Sequence, residues 1–468
     1  MIVGAGLSGI GLACHLRSQL PAKSFLIVEG RPVSGGTWDL FRFPGVRSDS
    51  DMHTLGYAFE PWRGEQTIAP GDQILDYLRE TATAHGLDDH IRYGTRVVQA
   101  DWSSEEARWT VELTDTETER RERVTADWLV CATGYFRYDE GYAPRFEGQE
   151  QFGGPIVHPQ RWPDDLDYRG RQVVVIGSGA TAVTIVPALA ETAAHVTMLQ
   201  RTPSYVLPAP RTSRTSRTAS IIRQRVLWRL CRRFPTTARR LIRYVNARQL
   251  PDGYPVDEHF NPPYRPWDQR LCLAPDGDLF AAISRGDATV VTDEIVRFTE
   301  TGLLLASGQE LTADLVVTAT GLNLQTLGGI RVHVDGVEVR PADTVVYRGL
   351  MLSGVPNLAV AIGYANASWT LKLDLVADYL CRLLSLMDDR GYDTARAVPD
   401  PGMSTKPFLE LGSGYVRRGA AEVPKQGEVG PWRASTGYPD DVRLLRRGPL
   451  VDDYLQLTRS AARSASPR

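Results

Sequence analysis

Two short glycine clusters have the types and spacing to do chemistry. Gly4-Ala5-Gly6-Leu7-Ser8-Gly9 follows the apolar run Met1 to Val3, and Gly177-Ser178-Gly179-Ala180-Thr181-Ala182 follows Gln172 to Ile176. In such a loop the first glycine permits a tight turn, and the second lets backbone approach a diphosphate. The third position lets the following helix pack against the strand. The diphosphate then lies at the positive end of that helix. A lone GxGxxG is a weak signal, but here both copies stand between a strand pattern and a helix pattern. Two ordinary tight turns are the plainer alternative. They do not account for strand, glycines, helix and terminal residue recurring together.

The terminal residues differ between the two units. Glu29 stands 20 residues after Gly9, at the end of the apolar run Phe25 to Val28. A carboxylate there accepts hydrogen bonds from both ribose hydroxyls and repels a 2′-phosphate, which suits FAD or NAD. The second unit closes its strand, His195 to Leu199, with Gln200-Arg201-Thr202 and no acid. A guanidinium there suits the 2′-phosphate of NADPH.

The elements that must position these loops make the chain α/β, with two dinucleotide-binding, Rossmann-like domains. Residues 1–150 are expected to form the first part of the domain that suits FAD or NAD (an FAD-binding domain by the resemblance described below), and 151–171 a linker. Residues 172–317 are expected to form an NADPH-binding domain, with a Pro- and Arg-rich helical insertion at about 208–265. Residues 318–395 would complete the first domain, and 396–468 are a C-terminal extension whose last residues are predicted to be disordered. Period-2 alternation predicts strands over 91–133. Further strands are expected at Thr289 to Thr292, Leu303 to Ala306 and Leu315 to Ala319. A helix is expected from Ser368 to about Met387, with Ser368 or a neighbour as its cap. Only three residues precede Gly4, fewer than in an ordinary strand, so a few residues are expected to be missing there.

Composition agrees. The 468 residues are 42% hydrophobic and 23% charged, the balance of a folded enzyme with a sizeable core. Fifty-three Lys+Arg against 56 Asp+Glu leave −3, so no global basic field points to nucleic acid. The five cysteines contain no CxxC and no close Cys/His cluster, which argues against a metal site, a disulfide framework or a dithiol redox centre. With no signal peptide and no spanning apolar run, a cytoplasmic enzyme is expected.

One stretch departs from this balance. Residues 211–248 hold twelve Arg and no Asp, Glu or Lys. Ile222, Val226, Leu230 and Phe234 are spaced for one helical face. The preferred reading is a helical insertion with a solvated basic face, lying against the NADPH domain. The sharper alternative is a weak membrane-surface contact that brings apolar compounds to the site.

Between the two glycine units, Phe152-Gly153-Gly154-Pro155-Ile156-Val157-His158-Pro159-Gln160-Arg161-Trp162-Pro163 matches FxGxxxHxxxWP at every fixed position. That pattern is the fingerprint of Baeyer–Villiger monooxygenases. TWDLFRFPGVRSDSDMHTLGY, MLQRTP, PWDQRLCL and GYANASWTLK also resemble the ethionamide-activating subgroup of that family. The resemblance covers nearly the whole chain. It implies FAD, NADPH and O2, and insertion of one oxygen beside a ketone carbonyl to give an ester or lactone through a C4a-peroxyflavin. Sulfide or thioamide S-oxygenation is implied as a side activity. The alternatives are an N- or S-oxygenating flavin monooxygenase without ketone activity, and an uncoupled NADPH-oxidising flavoprotein.

Carried over by position, Gly4, Gly6, Gly9 and Glu29 would hold the ADP part of FAD, with Val97 meeting adenine through its backbone. Gly36, Thr37 and Trp38 would line the flavin. Gly177, Gly179, Thr181, Ala182, Arg201 and Thr202 would hold NADPH. Asp49 and Arg270 match the family's active-site acid and guanidinium. Gln269 stands where many relatives carry a Lys on the 2′-phosphate, so the NADPH preference would rest mainly on Arg201. In the fingerprint Phe152, Gly154, His158, Trp162 and Pro163, His158 and Trp162 read as linker anchors rather than proton carriers. The helix after Asn366-Ala367-Ser368 would point its N-terminus at the flavin's pyrimidine edge.

Overall fold

The computed structural model describes residues 1–460 except 214, 365, 366, 410, 411, 413 and 436. Arg214, Asn366 and the stretch 461–468, where the sequence predicts disorder, lie outside the described residues.

Ile2–Val3 sits at the centre of the first sheet, parallel to Ile27–Val28 on one side and Leu129–Cys131 on the other. Ile91–Arg92 extends one edge. The chain returns to this sheet after a long excursion: Leu358–Val360 pairs in parallel with Leu129–Cys131, and Met351–Leu352 and Val346–Tyr347 finish the far side antiparallel. The strand expected over Phe25 to Val28 is shorter, Ile27–Val28, and the half-buried Phe25 ring before it stacks on His90 at 4.5 Å.

The helix Leu7–Gln19 is buried on most sides, between this sheet and the long helix Trp369–Arg390. Gly11 makes that packing close. A Cβ there would lie 2.6 Å from the Tyr57 ring and 2.9 Å from Leu373.

The second sheet is all parallel, in the order Ala288–Thr292, His195–Gln200, Gln172–Ile176, Leu315–Thr318, Ile156–Val157. Its edge strand comes from the fingerprint, so the segment read as a linker over 151–171 also builds this sheet. Two chain passages join the sheets and pair with each other: Phe136–Gly141 outward and Leu322–Leu324 on the return.

The insertion lies between the paired strands Val206–Ala209 and Cys272–Pro275. It holds two long helices, Arg217–Arg233 and Pro235–Ala247, and a short one, Val256–His259. The preferred reading of this segment needs correction. The buried residues of the first helix are Ser220 and Cys231, whereas Ile222, Val226, Leu230 and Phe234 are exposed. Periodicity identified the stripe, but polar contacts on the other face of the helix, to Asp51 and Asp374, turn that stripe outward.

Candidate active site

The first glycine loop is built as a cradle. Gly4 has φ +104°, and a Cβ on Gly9 would lie 1.8 Å from the Gly4 carbonyl oxygen. The helix Leu7–Gln19 begins at Gly6 with no side-chain cap, leaving its first amides for a ligand. Glu29 is buried and clips the loop, accepting hydrogen bonds from the Ala5 amide at 2.7 Å and the Arg31 amide at 2.9 Å. Burial pushes its carboxyl up from the ordinary value, while those two amides pull it down. Two of its lone-pair directions stay free for ribose hydroxyls.

Gly36, at φ +56°, closes on this cradle: a Cβ there would meet Gly6 Cα at 3.0 Å. It opens the short helix Thr37–Leu40, where the Thr37 hydroxyl meets the half-buried Tyr138 hydroxyl at 3.0 Å. Trp38, next on that helix, packs half-buried against the core around the first helix. Val97 is buried on Thr95–Ser103, just before a bulge in that strand, and the Thr95 amide donates to the Glu29 carbonyl.

The second loop has the same turn and more space. Gly177 has φ +140° and its missing Cβ accommodates the Ala319 carbonyl, but a Cβ on Gly179 would meet nothing within 4 Å. Ala182 is fully buried in the third position, and Thr181 follows the uncapped N-terminus of Ala180–Leu189. The Ser178 hydroxyl donates to the Thr202 carbonyl at 2.8 Å, tying this loop to the Arg201–Thr202 segment. Arg201 is exposed beside it and has no acidic partner among the described residues. Gln269 lies in the turn that bridges Pro266 and Gln269, with its side chain beside Gly412.

Asp49 and Arg270 are 221 residues apart in sequence, and Arg270 Nη2 donates to Asp49 Oδ1 at 2.8 Å. Both side chains are about a third exposed, at 31% and 37%. An ion pair so open contributes about 0–1 kcal/mol to folding. Stability is therefore a poor reason for the juxtaposition. The pair is positioned from both sides. Arg47, two residues before Asp49, is buried in an ion pair with Asp278. Arg270 runs directly into the strand Cys272–Pro275.

The fingerprint residues meet at the crossing between the sheets. Gly154 lets the Phe152 ring and the Asp314 carbonyl approach, where a Cβ would lie 2.9 and 2.5 Å away. His158 Nδ1 accepts from the Gln160 amide at 3.2 Å, and its Nε2–H donates to the Gly321 carbonyl at 3.0 Å. Burial holds its pKa below the ordinary histidine value, so the ring is neutral at pH 7. Both ring nitrogens are engaged by backbone, one on each side of the crossing. Trp162 packs on Tyr168 and the second core, and the Pro163 carbonyl accepts from the Leu166 amide.

Several contributors were not singled out as site residues from the sequence. Asp39 is buried between Arg31 and Arg79 and fixes the turn that carries Gly36. Gln160 is buried, with Nε2 on the carbonyls of Arg137 and Tyr138. A cavity opens beyond the ends of Leu129–Cys131 and Leu358–Val360, the edge of an α/β sheet where ligands bind. Tyr135 and Trp369, stacked at 5.3 Å, line it together with Phe408 and Val423 of the C-terminal extension. Asp49 and Arg270 line neither this cavity nor the smaller one beside His158 and Thr181.

Ser368 needs a second correction. It precedes the helix as expected, but its hydroxyl pairs with Thr54 at 2.5 Å rather than capping an amide. Ser368 itself therefore does not occupy the first amides of that helix. All five cysteines are free and buried. Burial pushes Cys14, Cys131, Cys272 and Cys381 up to about 12, which leaves them inert.

The family description flavin-binding monooxygenase-like matches residues 67–327, and an NAD(P)-binding Rossmann-like domain matches residues 2–63. The chain is 50% identical to the FAD-containing monooxygenase EthA of Mycobacterium tuberculosis, over 99% of this chain and 98% of that one. It is 43% identical to the probable FAD-binding monooxygenase AlmA of an Acinetobacter species, over 100% and 97% of the two chains. An oxidized steroid monooxygenase bound to NADP superposes with TM-score 0.72 at 25% identity, over 85% of this chain and 87% of its own. The open form of cyclohexanone monooxygenase shares the fold at TM-score 0.72 and 20% identity, over 85% and 89%. With one match spanning more than half the chain and relatives aligned along its whole length, this protein belongs to the flavin-binding monooxygenase-like family.

Proposed function

We propose that this flavin-dependent monooxygenase is of the Baeyer–Villiger type. It inserts one oxygen atom of O2 beside a ketone carbonyl to give an ester or lactone, and oxygenates sulfides or thioamides at the same site. The observation that carries this reading is the 2.8 Å contact of Arg270 with Asp49. FAD is the flavin, held at Gly4, Gly6, Gly9 and Glu29, with Gly36, Thr37, Trp38 and Val97 along its length. NADPH is the reductant, held at Gly177, Gly179, Thr181, Ala182, Arg201 and Thr202, with Gln269 as a minor contact.

FAD held in the first loop would supply the hydride acceptor for NADPH and the site of O2 activation. The residues of the chain do the rest. Arg270 presents a fixed positive charge where negative charge develops on the ketone oxygen, and such preorganised charge needs no reorganisation during reaction. Asp49 orients that guanidinium and offsets part of its charge. His158 stays neutral and holds the two crossing passages in register, so coenzyme binding in the second unit is felt at the first.

Arg201→Ala should raise the KM for NADPH about 10- to 100-fold, the scale of one lost charge-assisted contact. The KM for NADH should change far less. Steady-state kinetics with both coenzymes checks this, and equal effects remove Arg201 from the phosphate site.

The reaction itself is tested by product analysis on FAD-loaded protein. The mixture holds NADPH, isotopically labelled dioxygen, linear and aryl methyl ketones and one aryl sulfide. Ester carrying one labelled oxygen is expected. Sulfoxide without ester would leave an N- or S-oxygenating enzyme. Hydrogen peroxide equal to the NADPH consumed, whatever ketone is present, would leave an uncoupled oxidase.

A further inference from the structure

We infer that the arginine-rich helical hairpin is a docking surface for an anionic phospholipid bilayer. Twelve described residues are both large, hydrophobic and exposed, and seven of them lie between Ile222 and Tyr244. Ile222, Val226 and Leu230 are 50–57% exposed at helical spacing on one face, and Phe234 and Leu241 continue the patch at 51% and 60%. Stranded apolar side chains at this density mark a surface that is covered in use.

The orientation of the hairpin is fixed by its other side. The Ser220 hydroxyl donates to Asp51 at 2.5 Å, and Arg217 donates to Asp374 at 3.0 Å. On the second helix Ile242 is buried with Leu271 and Trp267. The apolar stripe therefore points away from the body of the protein.

Its charge selects the occupant. Arg225, Arg229, Arg232, Arg233 and Arg240 have no acidic partner among the described residues, and 211–248 contains no acid at all. A two-fold contact with a second copy would set these arginines against themselves. A nucleic-acid backbone would satisfy the guanidinia and leave the apolar stripe uncovered. An anionic bilayer satisfies both, with headgroup phosphates for the arginines and the acyl boundary for Leu230 and Phe234. No helix among the described residues is long and apolar enough to cross a membrane, so the contact is with the surface.

Docking has a consequence that rests on the proposed reaction. The inner contacts of the hairpin, Asp51 and Trp267, lie two and three residues from Asp49 and Arg270. The catalytic pair is then held beside the bilayer, and the substrates it meets are lipophilic carbonyl compounds or sulfides dissolved there.

The test is co-flotation of full-length, FAD-loaded protein with phosphatidylcholine vesicles, with and without phosphatidylglycerol. Binding to the anionic vesicles only is expected, weakening as salt is raised. Arg229→Ala with Arg233→Ala should lower the partition about tenfold or more, as should Leu230→Ser with Phe234→Ser. Both double variants should keep activity on a short, water-soluble substrate. Equal partition onto neutral and anionic vesicles, or none onto either, would overturn the proposal. So would a dimer in sedimentation that Leu230→Ser dissolves, or duplex DNA binding without vesicle binding. Vesicle binding without ketone oxygenation would sink only the proposed reaction.

Discussion

Arg270→Ala should leave anaerobic reduction of the flavin by NADPH nearly unchanged and lower ester formation about 100- to 1,000-fold. That range is the usual cost of removing one preorganised donor aimed at developing negative charge. The two readouts separate if the proposed assignment holds, because hydride transfer would depend on the two dinucleotide sites and Arg270, paired with Asp49, would act on the reacting oxygen. Stopped-flow bleaching of the flavin band measures the first, and ester formed per NADPH in air measures the second. The missing product should reappear as hydrogen peroxide. Asp49→Asn should fall between, because the guanidinium keeps its charge and loses its orientation. If Arg270 were only half of an exposed surface pair, its loss would cost about 1 kcal/mol or less. Unchanged ester yield would remove Arg270 from the site.

The dinucleotide loops were legible in the sequence because their chemistry is local. A turn, an uncapped helix and a strand end fall within about 30 residues, and only glycine allows the φ of +104° at Gly4 and +140° at Gly177. The Asp49–Arg270 pair was not legible by that route. A contact across 221 residues leaves no periodicity, and only the family resemblance marked both positions. The hairpin failed in an instructive way. Apolar spacing predicts that a helix has a stripe, but the direction of the stripe is set by partners elsewhere, here Asp51 and Asp374. The same holds for Ser368. Its place before the helix was readable, but its bond to Thr54 depends on a segment more than 300 residues away. Phe408 and Val423 reach the cavity at the first sheet through tertiary packing that no local pattern predicts.

Gly9→Ala and Gly179→Ala, the same substitution in equivalent loops, should have opposite signatures. At Gly9 the new Cβ would lie 1.8 Å from the Gly4 carbonyl oxygen, a backbone atom that cannot step aside. Alanine favours a helix over glycine by only about 1 kcal/mol, too little to offset such an overlap. The loop must open, so Gly9→Ala protein should purify nearly without flavin and melt at lower temperature. At Gly179 a Cβ meets no atom within 4 Å, so the fold should tolerate it and the melting temperature of NADPH-free protein should hardly move. In the proposed assignment, that open space is where backbone would approach the coenzyme diphosphate. Gly179→Ala should therefore keep its full flavin content and raise the KM for NADPH and NADH alike, about tenfold or more. The equal effect on both coenzymes distinguishes a diphosphate contact from the 2′-phosphate contact at Arg201. Flavin absorbance per protein, thermal melting and coenzyme kinetics decide the matter together. If Gly179→Ala lost flavin while Gly9→Ala kept it, the assignment of FAD to the first loop and NADPH to the second would have to be exchanged.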